Sequence, residues 1–142
     1  MGKQFSTFFV AGRLYGLDVM DVQEVTKALP ASNVPLAPNY VKGLINLRGQ
    51  LAVGVGLREL FLLEAKSQET EPMNVVCSSD GVLLALIVDQ IGDVIEVDDG
   101  LFEPTPETVT ENVSQFMTGV YKVPGTLLSI LDVKKIVERI QK

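Results

Sequence analysis

No histidine and no tryptophan occur anywhere in the chain. The first absence excludes the most. Ser–His and Cys–His nucleophile activation both need an imidazole, as do the common His-ligated metal sites. A single cysteine, Cys77, excludes an internal disulfide. Flanked by Val75 and Val76, it reads as a small buried hydrophobe, and a chain without a disulfide framework fits the cytoplasm. The longest apolar run, "GVLLALIV", is far short of the roughly 20 residues a membrane span requires. Twelve Lys and Arg against eighteen Asp and Glu leave a net charge of −6. The cations are scattered, so a phosphate backbone finds no basic stripe to bind.

Phosphate and metal motifs are also missing. "GVG" (Gly54–Gly56) is followed by Leu57, Arg58 and Glu59, so the third glycine of a dinucleotide fingerprint is absent. No Walker sequence occurs. The acids Asp89, Asp93, Glu96, Asp98 and Asp99 lack the spacing of a calcium loop and read as a solvated loop face. "MGKQFS" and "NVS" match lipidation and glycosylation patterns only at the level of chance.

What the chain does contain is a repeat. "YVKGLINLRGQLAVGVGLRELF" (Tyr40–Phe61) aligns without a gap with "FMTGVYKVPGTLLSILDVKKIV" (Phe116–Val137) at an offset of 76. Gly43 meets Gly119, Gly49 meets Gly125, and Leu57, Leu60 and Phe61 meet Val133, Ile136 and Val137. The upstream parts correspond more weakly at an offset of 68, where Asp21 meets Asp89. Each copy reads as strand, turn, strand, a less regular segment, a glycine hairpin and a short helix. The strands are expected at Phe5–Val10, Leu14–Val19, Gly43–Leu47 and Leu51–Val55, then Met73–Ser78, Val82–Val88, Gly119–Val123 and Thr126–Leu131. Val82–Val88 is apolar on both faces, which predicts burial on both sides. Val133, Ile136, Val137 and Ile140 fall on one helical face behind Asp132, a good N-cap. Gly56 takes that place in the first copy and offers no capping oxygen, so its helix is expected to be short or frayed. "EAKSQETEP" (64–72) reads as the linker between modules 5–63 and 73–142 of a single domain, 1–142.

Two stretches stand out as contact surfaces. In "DVMDVQEV", Val19, Val22 and Val25 recur every three residues, which predicts a helical turn, with Asp21 and Glu24 in capping-box relation. Glu24 is either that cap or an exposed contact beside an apolar rim. Arg48 precedes a tight turn, and the second copy has Pro124 at the matching place. The frame therefore does not require a cation there, whereas a guanidinium suits a protein interface.

The residues "LYGLDVMDVQEV", "VPLAPNYVKGLINLRGQ", "GLRELF", "LALIVDQIGDVIEV" and "LLSILDVKKIV" resemble the CheW family of bacterial chemotaxis coupling proteins over nearly the whole length. The chain departs from that pattern at Ala52 and Gly56, where the family usually has Pro and Asp. The resemblance implies a mainly β fold of two intertwined five-stranded SH3-like barrels with short helices and a C-terminal helix. It implies a non-catalytic scaffold without cofactor or metal, in the cytoplasm at receptor arrays on the inner face of the membrane. Its partners would be the cytoplasmic tip of methyl-accepting receptors and the regulatory domain of the kinase CheA. An adaptor of the same fold in surface motility or pilus control is the alternative. By residue match, Arg48, Gly43 and Glu24 fall in the receptor-binding region, and Val19, Val22 and Val25 in the kinase-binding region.

Overall fold

Among the described residues, three of the four tight hairpins use the same device. Ala11–Gly12, Arg48–Gly49 and Asp80–Gly81 each place two residues at positive φ (52° and 77°, 50° and 88°, 52° and 80°). Two such residues between paired strands make a type I′ turn, whose twist matches that of the strands it joins. Pro124 cannot adopt positive φ, so the fourth hairpin turns with Gly125 alone at φ 82°. Arg48 therefore lies inside its turn, at the first loop position, and not before it.

The structure, a computed structural model, describes residues 2–63 and 71–141. Apart from Glu71 and Pro72, the expected linker lies outside the described residues. The first copy supplies β1 (Gly2–Val10), β2 (Arg13–Asp18), β3 (Val22–Lys27), β4 (Val41–Leu47), β5 (Gln50–Gly56) and α1 (Leu57–Leu60). The second supplies β6 (Met73–Ser79), β7 (Val82–Val88), β8 (Gln90–Asp98), the two-residue β9 (Phe102–Glu103), α2 (Glu111–Ser114), β10 (Met117–Val123), β11 (Thr126–Leu131) and α3 (Val133–Ile140). The segment expected to be irregular is thus a third strand in each copy.

The copies exchange hairpins. One sheet runs β8-β1-β2-β11-β10-β9 and the other β3-β6-β7-β5-β4. The β1–β2 hairpin of the first copy completes the sheet of the second, and β6–β7 does the reverse. Parallel joints seal the exchange: Ser129 pairs with Tyr15 in one sheet and Val53 with Leu84 in the other. These matched registers correct the upstream offset. Tyr15 and Leu84 are 69 apart, as are Val22 and Ile91, which face Cys77 and Phe8. Asp89 thus corresponds to Met20, and Asp21 to Gln90. The acid-on-acid match suggested by sequence is a one-residue slip, which in a strand would turn every side chain to the other face.

The repeated apolar residues meet in one shared core. Leu57, Leu60 and Phe61 of α1 and its end, and Val133, Ile136 and Val137 of α3, are all buried in the same cluster with Phe8, Tyr15 and Phe116. An aromatic chain runs through it, with Tyr15–Phe61 centroids 5.4 Å apart and Phe61–Phe116 5.9 Å. Each sheet also curls around a smaller cluster of its own: Phe5, Leu14, Tyr121, Leu128 and Ile130 in one, Ile45, Leu47, Ala52, Val76 and Ala85 in the other. β7 is central, with Leu84, Ala85 and Leu86 fully buried, as its two apolar faces predict. Asp132 caps α3 through Lys134 N–H at 2.9 Å, whereas α1 has no side-chain cap and stops after one turn.

Candidate functional site

Arg48 and Glu24 meet. β3 and β4 are opposite edges of the five-stranded sheet, yet the sheet curls far enough for the turn after β4 to reach β3. Arg48 Nη2 donates to Glu24 Oε2 at 2.5 Å, with the arginine side chain 78% exposed and the glutamate 25%. The Glu24 hydrogen bond, and then its charge, push the guanidinium above its already high pKa, so it is cationic throughout the usual pH range. Asn46 Oδ1 accepts from Gly49 N–H at 2.9 Å and steadies the turn. Beside this corner, Gln23, Gln50, Leu51, Ser78, Gly81 and Leu83 line a shallow depression of about 390 Å³.

Glu24 is not a helix cap. The helical turn is a short 3-10 turn, Val19–Asp21, capped by Asp18, whose Oδ1 accepts from Met20 N–H. Val22 already belongs to β3. Along that strand Val22, Glu24 and Thr26 are half-buried, while Gln23, Val25 and Lys27 are exposed. The three valines therefore do not share a helical face. Val22 packs against the shared core and Val25 is 39% exposed. A three-residue spacing imitates a helix, but the strand period of two wins because β3 pairs with β6, Val25 opposite Val75.

Gly43 is buried and makes no surface of its own. Its φ is 136°, and a Cβ there would lie 2.6 Å from Ser32 O. The absence of a side chain lets the preceding chain cross β4, where Ser32 and Leu44 exchange two backbone hydrogen bonds of 2.8 Å. Gly119 does the same for β9, with Glu103 O 2.5 Å from its would-be Cβ. The paired glycines of the repeat were the sequence signal for this crossing. Gly43→Ala is expected to cost about 2 kcal/mol of unfolding free energy. Gly49→Ala, at positive φ but with nothing within 4 Å, is expected to cost about 1 kcal/mol. Urea denaturation of both variants measures the difference.

Asp89 is not part of a solvated face. Its carboxylate takes Arg58 Nε at 3.0 Å, Arg58 Nη2 at 2.6 Å and Ala11 N–H at 2.8 Å. The side chains are 16% and 19% exposed. This pair joins α1 to the β1–β2 turn, and sequence reading missed it. Asp93, Glu96, Asp98 and Asp99 are exposed, the first three on β8 and not in a loop. Burial, with Asp21 nearby, pushes the Cys77 thiol up to about 12, which keeps it protonated and unreactive. Among the described residues no three His, Cys, Asp or Glu side chains converge as metal ligands, and no helix is long and apolar enough to cross a membrane.

The family model for the CheW-like domain matches residues 4–141. The chain is 30% identical over 137 residues to the chemotaxis protein CheW of Treponema pallidum, covering 94% of this chain and 81% of that one. It is 28% identical over 136 residues to the CheW of Helicobacter pylori, covering 96% and 82%. The crystal structure of the scaffolding protein TtCheW from Thermoanaerobacter tengcongensis superposes with a TM-score of 0.85 at 31% identity, over 93% of this chain and 90% of the other.

Proposed function

Because the chain belongs to the CheW family, we propose that it is a non-catalytic adaptor joining methyl-accepting chemotaxis receptors to a CheA-type histidine kinase. The observation that carries this reading is the Arg48 corner. An exposed guanidinium stands on a turn where the same frame, used a second time, has Pro124. One side chain, Glu24, holds it in place from across the sheet. A pre-positioned arginine loses less rotamer freedom on binding than a free one, and Leu51 and Leu83 in the otherwise polar depression beside it offer two apolar contacts for a helical receptor tip.

In this reading Arg48 and Glu24 touch the receptor, and Gly43 acts indirectly by seating the crossing segment against β4. Val19, half-buried in the 3-10 turn, and Val25, exposed on β3, are the valines offered to the kinase regulatory domain, while Val22 packs β3 against the body. The protein works in the cytoplasm beneath receptor arrays on the inner face of the membrane. No chemistry is needed for coupling: the adaptor transmits a signal when its binding free energy differs between receptor states.

The test is a capture experiment with the full chain as bait, a receptor signalling hairpin and a kinase regulatory domain as prey. Capture of each alone, and of both together, is expected. Failure to hold either one sinks the adaptor reading.

A further inference from the structure

The six-stranded sheet carries a groove of about 500 Å³ at the end where β2 runs into the 3-10 turn. Phe5, Phe102, Tyr121 and Ile130 form its floor, and Asp18, Asp21, Asp99 and Asp132 its rim; Lys3 is the one cation among the residues lining it. The rings are in contact, with Phe102–Tyr121 centroids 5.2 Å apart and Phe5–Tyr121 5.4 Å.

The repeat shows that the frame does not demand this acidity. At the matching end of the other sheet, Asp18, Asp21 and Asp132 become Ile87, Gln90 and Gly56, by the offsets of 69 and 76 that the strand registers establish. Asp18 and Asp132 each cap a helical turn. Asp21 and Asp99 accept no cap hydrogen bond, yet stand on the same rim.

The cluster works against itself. Burial, then Asp18 and Asp132, push the Asp21 carboxyl above its ordinary range. Burial, then Asp99, Asp18 and Asp98, push the Tyr121 hydroxyl up. A group whose folded pKa is raised favours folding while protonated and loses that contribution as pH rises through the folded pKa. Asp21→Asn is therefore expected to raise the melting temperature at pH 7, and the advantage should vanish as the pH falls through the carboxylate range and wild-type Asp21 takes up its proton.

We propose that this groove docks a cationic, aliphatic polypeptide segment of a partner protein, with an arginine laid against the exposed ring of Phe102, which Tyr121 backs from below. The charge is complementary: four carboxylates face one lysine, and an incoming guanidinium relieves their mutual repulsion. Arginine fits better than lysine because its flat face stacks on rings while its edge bonds carboxylates. Aliphatic neighbours on the segment would cover the exposed edge of Phe102, a residue 44% exposed whose ring otherwise packs over Gly119. Nucleic acid and anionic lipid are repelled by the same rim. The docking surface is separate from the Arg48 corner and does not depend on receptor capture.

The probe is the peptide acetyl-Leu-Arg-Leu-Arg-Leu-amide, titrated into the ¹⁵N-labelled full chain at low salt and followed by amide shifts. Saturable shifts confined to Lys3, Asp99, Phe102, Thr118 and Tyr121 are expected. The glutamate counterpart of the peptide should give none. The double variant Asp21→Asn/Asp99→Asn should bind at least about fivefold more weakly, since two of the four rim charges are gone. If the double variant does not give a folded spectrum, the exposed single variant Asp99→Asn makes the same comparison. Unsaturable or scattered shifts overturn the proposal, as do saturation elsewhere, equal response to both peptides, or affinity unchanged in the variants. Receptor capture is read in a separate experiment, so either result can fail without the other.

Discussion

Arg48→Glu is expected to lower receptor capture by about a hundredfold or more while the melting temperature stays near that of the wild type. The arginine side chain is 78% exposed and, among the described residues, bonds across the sheet to Glu24, so little stability is expected to be lost with it. Binding rests on it heavily, because reversal places a carboxylate beside Glu24 and repels whatever acid or carbonyl the arginine would meet. Arg48→Asn separates turn from charge. Asparagine adopts positive φ more readily than arginine, so this variant should melt at the same temperature or higher and still fail to capture receptor. The swap Arg48→Glu with Glu24→Arg restores an ion pair across the sheet. If the swap also restores binding, the pair serves only to shape the corner and the contact assignment is wrong. Loss of folding in Arg48→Asn would make the arginine structural.

Asp89→Ala should have the largest effect on stability, about 3 kcal/mol, or a fall of about 10 °C in melting temperature. The change removes the carboxylate that faces Arg58, a guanidinium only 19% exposed. It also strips the Ala11 N–H of its acceptor at the β1–β2 turn. The cost comes from removing a two-pronged carboxylate partner from a cation that water reaches poorly. The double change Arg58→Met with Asp89→Leu should recover most of the loss, since two apolar side chains of similar size need no partner. Thermal melts of the single and double variants measure both effects. A single variant as stable as the wild type would mean that solvent already reaches the pair.

The repeat made much of this architecture legible, residue by residue. Gly49 and Gly125 marked hairpins because only glycine takes positive φ cheaply there. Asp132 against Gly56 foretold a capped α3 and a short or frayed α1, since one supplies a capping oxygen and the other does not. Pro124 against Arg48 singled out a cation that the matching place in the second copy lacks. Other signals misled. Val19, Val22 and Val25 suggested a helix, but a three-residue spacing cannot report that β6 lies alongside to pair with β3. Asp89 resembled its acidic neighbours on the page, and nothing local distinguishes an acid whose arginine lies 31 residues upstream.

By itself, then, the sequence determined the doubled plan, the positions of most strands and turns, the buried central strand and the contrast between Arg48 and Pro124 in the repeat. Each of these follows from side-chain periodicity or turn chemistry within a few residues. The exchange of hairpins between copies, the true register of the repeat, the Glu24–Arg48 corner and the Arg58–Asp89 pair were decided only by the tertiary structure. They rest on contacts between residues 24 to 114 positions apart, and which distant partners meet depends on how the whole chain buries its apolar surface.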